Sequence, residues 1–226
     1  EAAAALWREF PGLCLQTHTA ENREEIRFVL DQFPGQEDVL GVCEHFGLVG
    51  RGSILGHGVW FSEHEFARVH ERDASIAHCP TSNQFLGSGL FRLRSAKDPR
   101  RPIHVGLGTD IGAGTSFSLL ATLNETYKVA ALNGAPIGAL EALYLATLGG
   151  ARALGLEDRI GSLRPGNEAD IVVLDPKATP LLAFRTARSH SLEETLFVLM
   201  TLGDDRAVRA TYVGGTLAHA RREVDA

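Results

Sequence analysis

The sequence predicts an α/β fold built on a parallel sheet, followed by a segment that is richer in β-strands. Through about residue 156, short apolar runs alternate with stretches whose apolar residues recur at helical spacing, which is typical of parallel strands joined by helical crossovers. Beyond residue 156, turns punctuated by Gly and Pro and a hairpin signal become frequent. We therefore divide the chain into a body, residues 1–156, and a C-terminal segment, residues 157–226.

The body begins with a helical segment, EAAAALWREF, and then a first strand. The apolar run GLCLQT, residues 12–17, is typical of a buried strand. A helix is predicted over residues 21–33, because apolar residues recur at helical spacing from Ile26 to Phe33. A second helix is predicted over residues 37–46, and it ends near Gly47.

Three further strands and three further helices complete the body. The strands are SILGHGV, ASIAHCP and PIHVGLGTD. A helix that ends near Glu71 follows Ser62, whose spacing to Glu65 is that of a capping box. Long helices are predicted over residues 117–132 and 140–154.

The C-terminal segment combines strands with one helix. The stretch RIGSLRPGNEADIVVLDP predicts a turn and then a strand over residues 169–174. The stretch SLEETLFVLMTLG predicts a helix, with capping-box spacing between Ser191 and Glu194. The stretch AVRATYVGGTLAHA predicts two strands joined at Gly214 and Gly215, which is a hairpin signal.

Composition narrows the class of protein. The chain has 226 residues, 44% of them hydrophobic, and a formal net charge of -6, so it can bury a large core beneath an ordinary charged surface. An acidic balance without a basic cluster argues against a nucleic-acid partner, and no apolar run approaches the ~20 residues of a membrane span. Cys14, Cys43 and Cys79 are widely spaced, which predicts neither a disulfide framework nor a zinc finger and fits a cytoplasmic protein.

Polar side chains occur at the ends of the predicted strands. His18 ends the first, His57 lies within the second, His78 ends the third and Asp110 ends the fourth. In a parallel α/β barrel, functional groups project from the carboxyl ends of the strands. Imidazole nitrogens and carboxylate oxygens are suitable ligands for Zn²⁺ or a similar divalent metal. Glu21, one helical turn beyond His18, is placed to act at the same site as a general acid/base.

Each of these residues also has an ordinary structural explanation. A single histidine beside a strand is more often a hydrogen-bonded structural residue, an aspartate at a strand end is often a helix cap or a turn residue, and a glutamate such as Glu21 favours a helix N-terminus. The joint placement of His18, His57 and Asp110 on one sheet favours a functional site. We expect His78 to be structural.

Several stretches of the chain resemble the amidohydrolase superfamily. They are QTHTAEN, GHGVWFS, SIAHCPTSNQFLGSGLF, VGLGTDIGAGTSFS and, at the exit from the body, ALYLATLGGARALGLEDRIGSLRPGNEADIVVLDP. Within the superfamily, HCPTSNQFLGSGLF and EETLFVLMTLGDDRAV are more particular to guanine deaminases. The resemblance implies strands five to eight of a (β/α)8 barrel, its C-terminal half, followed by part of a small β-sandwich domain.

The resemblance also assigns roles by position. His18 and Asp110 correspond to metal ligands, and Glu21 corresponds to the residue that shuttles a proton to the purine ring nitrogen. His57 corresponds to the residue that hydrogen-bonds the attacking water or the developing oxyanion. Glu21, His57 and Asp110 are thus the implied catalytic residues, and together with His18 they form the implied substrate-binding set. The loop of residues 79–83 corresponds to part of the pocket wall.

One element of the superfamily pattern is missing from this sequence. The His-x-His pair of the first barrel strand, which supplies two further metal ligands, does not occur in the 226 residues. The chain also begins with Glu1 and not with Met. We therefore expect an upstream region to supply these ligands and the other barrel strands, and we expect the 226 residues alone to be inactive.

The implied activity is metal-dependent hydrolytic deamination of guanine to xanthine and ammonia, a step of purine catabolism. One Zn²⁺ per site is implied, with Fe²⁺ as the alternative, and the metal activates water by lowering its pKa toward ~7. A homodimer is implied for the intact enzyme; the apolar stretch 192–202 either contributes to it or packs on the barrel. Alternative functions are a relative acting on another aminopurine, an adenosine derivative or a triazine, and a non-catalytic amidohydrolase-like scaffold.

Overall fold

Two β-sheets organise residues 1–221, the part of the chain that the computed structural model describes. The strands of the first sheet are β1 (Leu15–Thr19), β2 (Ser53–His57), β3 (Ser75–His78) and β4 (His104–Leu107). They pair in the order β1-β2-β3-β4, and all three pairings are parallel. The predicted parallel sheet is therefore confirmed, and its two edges are β1 and β4.

Helices connect and flank these strands. Their bounds are α1 (Ala2–Glu9), α2 (Arg23–Gln32), α3 (Val39–His45), α4 (Glu63–Glu71), α5 (Pro80–Phe85), α6 (Leu93–Ala96), α7 (Leu119–Leu132), α8 (Ala139–Ala146) and α9 (Leu148–Ala153). Local sequence explains where two of them begin. Asn22 and Glu25 form a capping box at the start of α2, and Ser62 and Glu65 form the predicted one at the start of α4.

Two predictions for the body were wrong in detail. Residues 79–83, expected as a loop, mostly belong to α5, because Pro80 at the first helical position has the backbone angle that a helix start needs. The single helix predicted over residues 140–154 is two helices, α8 and α9. They meet at Thr147, whose φ of -125° and ψ of -99° lie outside the helical region.

The second sheet is antiparallel and belongs to the C-terminal segment. Its strands are β5 (Ile171–Leu174), β6 (Val208–Val213) and β7 (Thr216–Ala220), in that order, and helices α10 (Pro180–Thr186) and α11 (Leu192–Leu202) lie between β5 and β6. The predicted hairpin is confirmed, with positive φ at both Gly214 and Gly215. Only half of the capping box expected at α11 forms: Ser191 accepts from the backbone of Glu194, whose carboxylate binds the backbone of His190 instead.

One hydrophobic core reaches from the parallel sheet into the C-terminal segment. Leu55, Ile76 and Val105 from the strands belong to the same buried cluster as Leu182 of α10 and Leu199 of α11. The helix α11 packs against α7, α8 and α10. The boundary at residue 156 and the β-sandwich stay predictions, and residues 222–226 of the C-terminal segment lie outside the described residues. Within residues 1–221, no helix has both the length and the apolar character needed to cross a bilayer.

Candidate metal and catalytic site

Four of the predicted residues meet at the carboxyl edge of the parallel sheet. His18 lies in β1, and His57 is the last residue of the neighbouring β2. Glu21 follows β1 by two residues, and Asp110 follows β4 by three. Because parallel strands end at the same edge of a sheet, residues far apart in the sequence converge there.

Three of these residues form a group that fits a metal ion. His18, His57 and Asp110 each offer one ligand atom, and these atoms all lie within 4.8 Å of one another. The rings of His18 and His57 stand edge to face, with centroids 5.2 Å apart. Two imidazoles and a carboxylate suit Zn²⁺ or another divalent transition metal. The structure thus brings together the predicted ligands His18 and Asp110 and places His57 in the same group.

His57 lies between two carboxylates. Its Nε2 atom is 3.9 Å from Oε2 of Glu21 and 3.8 Å from Oδ2 of Asp110, distances too long for direct hydrogen bonds. Its Nδ1 atom is 2.8 Å from Oδ1 of Asn83, in a buried contact. Since an amide oxygen only accepts, Nδ1 is the donor in this contact, and Nε2 is the ring nitrogen that faces the two carboxylates.

Glu21 is directed into the site and not toward the helix that follows it. Asn22 caps α2, and Glu25 completes the capping box and also accepts from the backbone of Glu21. The carboxylate of Glu21 instead accepts a hydrogen bond from Ser88 at 2.9 Å and faces His57. These contacts do not match a carboxylate that merely stabilises a helix N-terminus.

The backbone is strained at the same strand ends. Ala20, His57 and Asp110 all have positive φ, at 48°, 71° and 49°, although none is glycine. Such conformations cost of order 1–3 kcal/mol each and persist where the surrounding structure holds them, most often at functional sites. The strain therefore coincides with the converging side chains.

His78 and Cys79 lie beside this group and differ from it in chemistry. The ring of His78 is buried and stacks on Phe91, with centroids 4.8 Å apart. Burial, reinforced by the nearby His57, lowers the pKa of His78 from 6.5 to about 3, so the ring stays neutral. Burial, with the carboxylates of Asp110 and Glu21, raises the pKa of the Cys79 thiol to about 12, so this thiol is a poor nucleophile.

Sequence reasoning did not single out three residues that support the group. Asn83 contacts His57, Ser88 contacts Glu21, and the indole Nε1 of Trp60 donates to the backbone oxygen of Ser88 at 2.7 Å. All three lie in the stretches GHGVWFS and HCPTSNQFLGSGLF, which carry the family resemblance. A sequence pattern alone does not show which of their side chains are in contact.

Known proteins of similar sequence and structure share this arrangement of strands. Residues 1–218 match the sequence profile of the Amidohydrolase family. The chain is 50% identical over 219 residues to the guanine deaminase of Escherichia coli (strain K12), which covers 97% of this chain and 49% of that protein. The solved E. coli guanine deaminase superposes with a TM-score of 0.94, covering 97% of this chain and 50% of that one.

Two further solved structures contain a bound ligand. A guanine deaminase from C. acetobutylicum, with guanine bound in its active site, is 27% identical with a TM-score of 0.84, covering 95% of this chain and 50% of that one. An adenosine deaminase from Xanthomonas campestris, with bound zinc, is 27% identical with a TM-score of 0.81, covering 98% of this chain and 48% of that one.

The family match extends over nearly all of this chain, whereas the chain spans only about half the length of the relatives it matches. The sequence resemblance to guanine deaminases is confirmed by the relatives, several of which are guanine deaminases. Because the profile match covers residues 1–218, the chain belongs to the amidohydrolase family.

Proposed function

We propose that this chain forms the C-terminal half of a metal-dependent guanine deaminase, with strands five to eight of a (β/α)8 barrel and part of a small β-sandwich domain. The observation that carries the proposal is the convergence of His18, Glu21, His57 and Asp110 at the carboxyl edge of four parallel strands. The likeness to guanine deaminases, one of them with guanine bound, supports guanine as the substrate.

Zinc is the metal that we propose for the site, with Fe²⁺ as the alternative. His18 and Asp110 are the proposed ligands, and His57 lies close enough to join them or to contact the attacking water. The zinc in the related adenosine deaminase supports this choice. Such a metal, when bound, supplies Lewis-acid activation of a water molecule at neutral pH.

The residues of this chain have distinct tasks in the proposed reaction, in which guanine and water give xanthine and ammonia. Asp110 and His57 orient the attacking water, because Nε2 of His57 lies 3.8 Å from Oδ2 of Asp110 and 3.9 Å from Oε2 of Glu21. Glu21 takes a proton from the water and delivers it to the ring nitrogen next to the amino-bearing carbon. A second proton transfer lets the amino group leave as ammonia.

The experiment compares substrates with the complete encoded protein. Ammonia release is measured from guanine, adenine, adenosine and a chloro-triazine, before and after chelation and after reconstitution with Zn²⁺ or Fe²⁺. We expect the highest kcat/KM with guanine, loss of activity on chelation, and recovery with zinc. A metal-replete protein that prefers adenosine or a triazine would assign the same chemistry to another substrate. A metal-replete protein inert toward all four would indicate a non-catalytic scaffold.

We also propose that the complete protein is a cytoplasmic homodimer. The helix α11 buries Val198, Leu199 and Met200 against the rest of the chain, but it leaves Leu192 exposed and Phe197 partly so. These two side chains are the part of the helix that is available to a second copy. Sedimentation at micromolar concentration tests the homodimer, and a monomer at that concentration contradicts it.

A further inference from the structure

Ser88 is a buried residue that contacts the candidate site from outside the group of metal-ligating side chains. Only 5% of Ser88 is exposed, and its hydroxyl donates to Oε1 of Glu21 at 2.9 Å. The other oxygen of the same carboxylate, Oε2, faces Nε2 of His57 at 3.9 Å. The two oxygens of Glu21 therefore have different surroundings: one is bound to Ser88, and the other is turned to the site.

The position of the Ser88 hydroxyl is itself fixed by the backbone around it. The N–H of Ser88 donates to the carbonyl of Asn83 at 2.8 Å, and its carbonyl accepts from Nε1 of Trp60 at 2.7 Å. The next residue, Gly89, has a φ of +133°, and a Cβ there would lie 3.0 Å from a side-chain carbon of Val59. Glycine is thus needed for the chain to pass at this point.

The same short turn also holds His57. Asn83, whose backbone carbonyl binds Ser88, uses its side-chain oxygen to bind Nδ1 of His57 at 2.8 Å. Residues 83–89, which run from the end of α5 into the loop that follows it, therefore contact both Glu21 and His57. Glu21 and His57 lie at the ends of different strands, so this shared support fixes the two side chains relative to each other.

We propose that Ser88 is a positioning residue for Glu21, whose hydroxyl holds Oε1 so that Oε2 stays turned toward the reacting atoms. This inference rests on the proposed function, because orientation of the carboxylate affects turnover only if Glu21 transfers the proton. The terminal torsion of a glutamate is broad, so without a partner the carboxylate samples orientations in which neither oxygen is aligned. Displacement of a reacting group by about 1 Å lowers the rate by up to roughly 10²-fold.

The first test is Ser88→Ala in the complete, metal-loaded protein, assayed with guanine. We expect kcat to fall between roughly 10-fold and 10²-fold, with metal content unchanged and KM changed little. The matched control is Ser75→Ala, since Ser75 is buried to a similar degree, with 4% of it exposed, but it opens β3 at the opposite edge of the sheet from the site. We expect kcat of that control to stay near the wild-type value.

A double-variant comparison separates positioning from a general structural effect. If Ser88 acts through the proton transfer of Glu21, Ser88→Ala should lower kcat little further in a protein that already carries Glu21→Gln. An equal fold-loss in both backgrounds, or no loss from Ser88→Ala in the active wild type, would overturn the proposal.

A crystallographic comparison gives a result that does not depend on turnover. We expect one orientation of the Glu21 carboxylate in the wild-type protein, and a rotated or split carboxylate in Ser88→Ala. An unchanged carboxylate in the variant would refute the positioning role. A protein without activity on guanine would reject the proposed function, and in that case the carboxylate orientation alone would decide on the role of Ser88.

Discussion

Glu21 and His57 are arranged so that each uses one atom for support and another for the site. Glu21 is held through Oε1 by Ser88, and His57 is held through Nδ1 by Asn83. Their free atoms, Oε2 and Nε2, face each other at 3.9 Å. Such an arrangement is expected where a side chain must keep one orientation during proton transfer, since a rotating side chain would lose its alignment with the reacting atoms.

At the residue scale, the first prediction concerns Glu21. We expect Glu21→Gln in the complete protein to retain its metal and to lose roughly 10²–10⁴-fold in kcat, because glutamine keeps the shape but cannot carry a proton. Steady-state kinetics together with metal analysis measures both quantities. His18→Ala is the contrasting variant, since removing a ligand should lower metal content and activity together. A Glu21→Gln protein with full metal and normal kcat would exclude the proton-shuttle role.

A second prediction at this scale concerns how His78 makes the free energy of unfolding depend on pH. Its folded pKa of about 3 lies below the ordinary 6.5, so the unfolded chain takes up a proton that the folded chain does not. The stability contributed by the neutral ring is therefore present above pH 6.5 and lost progressively as the pH falls toward 3.

Denaturant unfolding of metal-free protein at about pH 7 and about pH 5.5 tests this linkage. We expect the wild type to lose about 1 kcal/mol more than His78→Gln between these conditions, because glutamine does not titrate. Metal-free protein is used so that pH-dependent release of metal does not contribute. Equal losses in the two proteins would show that His78 is not held neutral by burial.

At the scale of elements, glycines determine how closely the strands and helices approach. A Cβ on Gly56 of β2 would lie 3.2 Å from Cδ2 of His18, so the missing side chain leaves room for the ring of a proposed ligand. A Cβ on Gly106 of β4 would lie 2.9 Å from the Cα of Gly150 in α9. The contact between β4 and α9 therefore depends on two facing glycines, and β4 leads directly to Asp110.

The third prediction follows from that contact. We expect Gly106→Ala to destabilise the complete protein by roughly 1–3 kcal/mol, because the added methyl group meets backbone that cannot rotate away. The control is Gly35→Ala, where an added Cβ has open space and φ is not in the left-handed region, so the change should be neutral or slightly stabilising. Thermal unfolding of both variants measures the difference. A Gly106→Ala protein as stable as the control would contradict this close approach.

Sequence patterns predicted those elements whose signals are local. The parallel strands and the capping box of Ser62 and Glu65 follow from apolar runs and short-range side-chain chemistry, and they are present. The break at Thr147 was missed because the periodic apolar residues run through it. Gly149, which follows, has a role that no local pattern shows: a Cβ there would lie 2.9 Å from the carbonyl oxygen of Tyr144 and 3.0 Å from that of Val105 in β4. The contact of Ser88 with Glu21 spans 67 residues, so no local pattern encodes it.

At the scale of the whole molecule, the parallel sheet is open. Its edge strands β1 and β4 each pair on one side only within the described residues, so both leave backbone groups unpaired. Large apolar side chains of the body, among them Phe10, Leu13 and Phe117, are also exposed. Unpaired edge strands and exposed apolar side chains both favour association with another polypeptide segment or with other protein molecules.

The last prediction compares the 226 residues alone with the complete encoded protein. We expect the isolated chain to associate in solution, to bind zinc weakly and to release no ammonia from guanine. The physical reason is that His18, His57 and Asp110 offer three donor atoms at an open sheet edge, whereas zinc sites that hold metal tightly are closed by further ligands. Co-expression of the remainder of the encoded protein as a second polypeptide should restore both metal content and activity. Sedimentation, competition with a chelating dye and an ammonia assay measure the three properties, and His18→Ala in the restored complex should again remove the metal. An isolated chain that is monomeric, retains zinc and deaminates guanine would show that these four strands form a complete site.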